Sequence, residues 1–162
     1  MALIHIPANA RVWSNPIHLL AFGFGSGLAA KAPGTFGTLA GLLLFLPLAM
    51  LPWYGYVLML LVTTAAGIWI CGRTADDLGI HDHGGIVWDE FVGLWITLFM
   101  VPMDWRWILA GFALFRLLDI LKPWPIKWAD KQVEGGLGIM LDDVLAGIMA
   151  ALCLQAARIL IA

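Results

Sequence analysis

The chain has 162 residues, the length of one domain, and its apolar fraction of 62% with a mean hydropathy of +0.90 exceeds the roughly 45–50% of an ordinary soluble domain. A soluble fold this small cannot hide so much apolar surface in one core, and nine Trp suit a membrane interface, so the composition reads as an integral membrane protein. A formal charge of −2 with no basic run excludes nucleic acid as a partner, and Cys71 and Cys153, both inside apolar segments, imply neither a disulfide framework nor a metal spacing.

The opening stretch MALIHIPANARVWSNP lacks a basic start followed by an apolar run, so no cleavable leader is expected there. Residues 15–23, beginning at Asn15-Pro16, read as a short amphipathic interfacial helix, and a Gly-rich loop runs over 24–38. Leu39 to Leu51 is apolar, broken by Pro47 and closed by Pro52; at about 20 Å of helix it is short for a full crossing. Trp53 to Cys71 is the cleanest span, roughly 28 Å and close to a hydrocarbon core. Phe91–Val101, Trp107–Leu118 and Val144–Ala162 complete the apolar segments. The expected fold is all-α, a polytopic bundle of about four to five membrane-embedded helices. It forms a single domain, with 1–38 supplying the interfacial helix and loop and 39–162 the bundle.

Counting crossings puts Pro52, the 102–105 turn and the C-terminus on one side. The N-terminus and the 24–38, 72–90 and 119–143 loops fall on the other. Seventeen of the twenty charged residues share that second side. Arg11, Lys31, Arg73, Arg116, Lys122, Lys127 and Lys131 are among them, so the positive-inside rule places it in the cytoplasm. Carboxylates beside hydrocarbon are costly unless a cation or hydrogen bonds compensate them. Their concentration at one face therefore points to a metal-dependent site at a membrane surface.

Four constellations carry chemistry. In the first, Gly25-Ser26-Gly27 and Lys31-Ala32-Pro33-Gly34-Thr35-Phe36-Gly37-Thr38 lead into the 39–51 helix. Backbone N–H groups near Thr35, a helix N-terminus, Lys31 and the Thr35 and Thr38 hydroxyls form a possible phosphate cradle, or else Thr38 is simply an N-cap. In the second, Asp89-Glu90 opens an apolar helix after His81-Asp82-His83. One acid would suffice to complement the dipole, whereas two point to a metal, with Gly93 one turn on for close helix approach. Solvated or supporting roles suit the histidines, and oxygen ligands favour Mg²⁺ over Zn²⁺.

In the third, Arg116, Asp119 and Lys122 step along one helical edge that ends at Pro123. They are either a snorkelling ion-pair stripe or a metal carboxylate between two phosphate-gripping cations. The fourth repeats the second: a Gly-rich approach, Asp142-Asp143, then an apolar helix with Gly147 four residues on. Asp76, Asp77, Asp130 and Glu134 stand in polar surroundings and read as solvated. Together these parts suit phosphoryl transfer on a lipid headgroup.

The motifs Gly25-Ser26-Gly27, Ala32-Pro33-Gly34-Thr35-Phe36-Gly37-Thr38, Trp88-Asp89-Glu90, Phe115-Arg116-Leu117-Leu118-Asp119 with Lys122-Pro123-Trp124-Pro125, and Gly135 to Asp143 resemble, in order, those of the phosphatidylglycerophosphatase A family. The resemblance runs from about Asn15 to Gly147. It implies a Mg²⁺-dependent enzyme of the bacterial inner membrane that converts phosphatidylglycerophosphate to phosphatidylglycerol and phosphate. In that reading Asp89, Glu90, Asp119, Asp142 and Asp143 hold the metal, and Lys31, Thr35, Arg116 and Lys122 bind phosphate. A lipid phosphotransferase using a CDP-alcohol and a metal-cation transporter are the alternatives. The first lacks its long spaced Asp motif here, and the second requires acids near the midplane rather than at helix mouths.

Overall fold

The computed structural model describes residues 11–81 and 83–161; residues 1–10, where no leader is expected, Asp82 of the His81–His83 loop and Ala162 lie outside the described residues. Among the described residues there is no strand. The helices are α1 (Pro16–Ala21), α2 (Pro33–Leu48), α3 (Trp53–Leu78), α4 (Trp88–Thr97), α5 (Trp105–Leu121), α6 (Ile126–Gln132) and α7 (Gly135–Ile161), with a 3₁₀ segment over Gly23–Leu28.

Local chemistry sets most of these boundaries. Asn15 Oδ1 accepts the Ile17 N–H at 2.9 Å and Pro16 takes the first helical position, so α1 starts there. Pro33 starts α2, which places Thr38 inside the helix instead of at its cap, and Pro47 falls in its last turn. α3 runs seven residues beyond Cys71. Nothing breaks it before Gly79 at φ 67°, and the Arg73–Asp77 pair at 3.2 Å supports the added turns. α4 keeps Asp89 and Glu90 in its first turn but stops at Thr97. Asp104 Oδ1 caps α5 by accepting the Arg106 N–H at 2.8 Å, and Lys122 closes it at φ 44° before Pro123. Residues 126–132, read from the sequence as loop, form α6.

The largest departure is α7. It starts at Gly135, not Val144, so Asp142 and Asp143 lie two turns inside the helix and do not open it. Glycines that suggest a loop serve here as contact surface. A Cβ on Gly136 would strike the Ile68 carbonyl and the backbone of Gly72, so α3 and α7 touch almost without intervening side chains.

α4 is buried on nearly every residue and packs against α2, α3, α5 and α7. It crosses α7 with Gly93 against Gly147: a Cβ on Gly147 would collide with the Gly93 carbonyl, and one on Gly93 would meet the Asp143 carbonyl at 2.8 Å. The two helices run parallel from that point. Thr97 donates toward the Gly147 carbonyl at 3.4 Å, and farther along Gln155 Nε2 donates to the Phe99 carbonyl at 3.1 Å. α5 returns antiparallel and lays Phe115 over Gly93. Both acid pairs therefore share one end of the bundle, close to the C-terminal turn of α5.

Among the described residues two helices, α3 with 26 residues and α7 with 27, are long and apolar enough to cross a membrane, fewer than the four to five expected. α2 is apolar but spans 16 residues, and α4, at about 15 Å, is enclosed by its neighbours. Only 22% of each long apolar window is buried, the reverse of a soluble core helix. Leu61 and Leu152, 65% and 66% exposed, are typical of the outward surface. That surface suggests membrane association.

The Gly93–Gly147 contact gives a direct test. Gly147→Val should cost at least about 2 kcal/mol by overpacking, read as a lower unfolding midpoint in detergent micelles by far-UV circular dichroism. Gly55→Ala should stay within about 0.5 kcal/mol of the parent, because its added Cβ meets only Leu51 and Pro52, at 3.5 Å or more.

Candidate active site

Five carboxylates converge at the charged end. Asp89 and Glu90 come from the first turn of α4, Asp119 from the last turns of α5, and Asp142 and Asp143 from α7. Asp89, Glu90, Asp142 and Asp143 are buried, with 8%, 8%, 8% and 3% of their surface exposed. One oxygen each from Asp119, Asp142 and Asp143 lie within 4.8 Å of one another. Asp143 is also in electrostatic reach of Asp89 and Glu90. The two pairs repeat one local device: the Glu90 N–H donates to Asp89 Oδ1 and the Asp143 N–H to Asp142 Oδ1, both at 3.0 Å. Each aspartate is thereby oriented by its own helix.

Two cations offset this charge. Arg116 Nη1 donates to Glu90 Oε2 and, at 2.6 Å, to Asp119 Oδ2, tying α4 to α5. Its Nε is buried without a hydrogen-bond partner. Lys122 Nζ donates to Asp142 Oδ2 at 2.7 Å and to Asp130 Oδ1 at 2.5 Å, tying the end of α5 to α7 and α6. Burial disfavours the Lys122 ammonium, but Asp130 and Asp142 outweigh it and hold the group above its ordinary range, so it stays protonated at neutral pH.

The donor set fits a hard divalent cation. Oxygens that share one Mg²⁺ at about 2.1 Å stand no more than about 4.2 Å apart, so the trio needs only small side-chain adjustment to hold one. Carboxylates without thiolate or imidazole among them also match Mg²⁺ better than Zn²⁺. Asp89, beside Asp143, extends the same acidic wall. Glu90 is differently employed, since its Oε2 is taken by Arg116 and by the Thr38 hydroxyl at 2.5 Å.

Other expected residues fall elsewhere. Lys31 and Thr35 are exposed, and the Thr35 N–H donates to the Ala32 carbonyl at 2.9 Å rather than standing open to an anion. Thr38 is fully buried, which excludes it from a phosphate cradle. His83 Nδ1 accepts the Gly85 N–H at 3.0 Å and its ring lies near Phe22, so it shapes the loop. His81 Nε2 accepts the Gly135 N–H at 2.9 Å at the start of α7. It also lines a cavity of about 50 Å³ with Asp130 and Asp142. Two larger cavities, between α3, α4 and α7, are apolar.

Two acids read as solvated have partners. Asp77 lies 3.2 Å from both His18 and Arg73, and Asp130 holds Lys122. The Arg73 partner lies one helical turn before Asp77 on α3, a spacing the sequence offered, whereas His18 and Lys122 come from separate elements. Asp130 reaches Lys122 only through the turn at Pro123 and Pro125, where helical spacing carries no information.

The family model described as phosphatidylglycerophosphatase A matches residues 19–158. A phosphatidylglycerophosphatase A of Escherichia coli K12 is 53% identical over 139 residues, covering 85% of this chain and 81% of the relative. One from Haemophilus influenzae is 54% identical over 142 residues, covering 85% and 86%. A Bacteroides thetaiotaomicron protein named putative phosphatidylinositol-3-phosphatase is 40% identical over 149 residues, covering 86% and 92%. No solved structure matches the chain.

Arg116→Met would strand Glu90 and Asp119, each no more than 14% exposed at the side chain, and should destabilise the protein by about 3 kcal/mol. Adding Glu90→Gln should recover part of that loss instead of summing with it. Unfolding midpoints of the two single variants and the double variant in detergent check the coupling.

Proposed function

We propose that this chain, which belongs to the phosphatidylglycerophosphatase A family, hydrolyses the terminal phosphomonoester of phosphatidylglycerophosphate, giving phosphatidylglycerol and inorganic phosphate with Mg²⁺ as cofactor. The observation that carries the reading is the Asp119–Asp142–Asp143 trio flanked directly by Arg116 and Lys122. It is a cation-binding wall beside two phosphate-binding side chains, at the charged end of an apolar bundle.

In this proposal Asp119, Asp142 and Asp143 hold Mg²⁺, with Asp89 completing the wall. Bound there, the ion supplies charge neutralisation at the phosphoryl group and lowers the pKa of a water. Arg116 offers a planar fork to the phosphate oxygens, and its buried Nε has no other partner. Lys122 contributes a point charge that keeps its proton through the neutral range. Lys31 and the exposed Thr35 flank the approach at the start of α2. Water attacks phosphorus in line, the P–O bond to the glycerol carbon's oxygen breaks, and that oxygen leaves as the lipid alcohol. The site faces the cytoplasmic leaflet of a bacterial inner membrane, supported by the positive residues gathered at the charged end. The outward apolar surface of α3 and α7 supports a chain that crosses that membrane.

A glycerol headgroup is favoured over inositol by the names of the two relatives above 50% identity, against one at 40%. Purified protein should release phosphate from phosphatidylglycerophosphate in mixed micelles with Mg²⁺ and stop in EDTA. Asp142→Asn and Asp143→Asn should each lose at least about a hundredfold in turnover, since supporting residues alone cost 10–100-fold, with circular dichroism unchanged. Cation uptake without phosphate release would instead indicate a transporter, and CMP release from a CDP-alcohol a transferase. An acid-trapped aspartyl phosphate would show that an aspartate carboxylate, not water, attacks phosphorus first, with water hydrolysing the acyl phosphate afterwards.

A further inference from the structure

We propose that α2, which carries none of the site's charges, sets the geometry of the acid cluster. The Thr38 hydroxyl and the Cβ-free Gly34 fix Glu90, Glu90 fixes Arg116, and Arg116 fixes Asp119 against Asp142 and Asp143. Thr38 and Glu90 are thus positioning residues. This inference rests on the trio being a divalent-cation site.

A threonine inside a helix ordinarily returns its proton to the carbonyl one turn back, and Thr38 does face the Gly34 carbonyl at 2.8 Å. That bond alone would satisfy it. Yet the same hydroxyl, fully buried, also lies 2.5 Å from Glu90 Oε2 on another helix, sharing one proton between two acceptors. Apolar packing between α2 and α4 asks for no hydroxyl here; valine has nearly the same shape.

The second carboxylate oxygen is located by α2 as well. A Cβ on Gly34 would strike Glu90 Oε1 and come within 3.0 Å of Arg116 Nη2. Both oxygens of Glu90 are therefore placed by residues one turn apart on α2. Arg116 Nη1 then donates to Glu90 Oε2 and to Asp119 Oδ2, and Asp119 is the trio member contributed by α5. Without that anchor Asp119 would be set only by its place near the helix end, one residue triplet before the left-handed Lys122. Glu90, counted from the sequence among the metal carboxylates, is spent on this relay.

The experiment compares the parent with Thr38→Val, Thr38→Ser, Gly34→Ala and Asp142→Asn, using Mn²⁺ binding by electron paramagnetic resonance in detergent alongside kcat and KM. Thr38→Val should weaken Mn²⁺ binding and lower kcat by roughly 10–100-fold, the usual cost of losing a supporting partner. Thr38→Ser should restore both. Gly34→Ala should reproduce the loss by pushing Glu90 aside, and decides the matter if Thr38→Val does not fold. Parent-like binding and turnover in Thr38→Val or in Gly34→Ala, or a Thr38→Ser as impaired as Thr38→Val, overturns the relay. If Asp142→Asn loses Mn²⁺ while the α2 variants do not, the relay falls and the cation site stands. If Asp142→Asn binds Mn²⁺ like the parent, the cation site itself falls, and the relay with it.

Discussion

Five carboxylates gathered at one end of an apolar bundle repel one another and lose hydration together, and that arrangement persists only where fixed positive charge and hydrogen-bond donors meet it. Arg116 and Lys122 are those charges. Each bridges two acids from different helices, Glu90 with Asp119 and Asp130 with Asp142. The electrostatic compensation is therefore also the tertiary fastening of the site, because the Arg116 bridge needs α4 against α5 and the Lys122 bridge needs the end of α5 against α6 and α7.

The backbone makes that meeting possible. Gly93 and Gly147 bring α4 and α7 within carbonyl contact just beyond the two acid pairs, and Phe115 seals the crossing from α5. In a lipid setting helix association rests on such close packing rather than on hydrophobic exclusion. The same closeness brings Asp143 within electrostatic reach of Asp89 and Glu90, so packing and charge share one geometric requirement.

Chemical roles divide accordingly. In the proposed site the aspartates of α5 and α7 would face the cation, whereas Glu90 and Asp130 pair with Arg116 and Lys122. Glu90 Oε2 accepts from both the Arg116 guanidinium and the Thr38 hydroxyl. Asp130, outwardly an ordinary exposed acid on α6, keeps Lys122 charged and placed. Acids of equal appearance in the sequence thereby acquire different duties through their partners.

Much was legible in the residues themselves. The apolar excess, the helical class, the shared side of the two acid pairs and the glycine one turn beyond each followed from composition, hydropathy and the period of the helix, which are local properties of the chain. What the sequence left undetermined is of another kind. That Gly135 to Gly138 is helix and not loop depends on the α3 backbone it touches. That α4 is enclosed depends on neighbours distant in the chain. That Thr38 meets Glu90 and Asp130 meets Lys122 depends on distances between separate elements. Periodicity orients a side chain about its own axis; only the packing of one axis against another decides what that side chain meets.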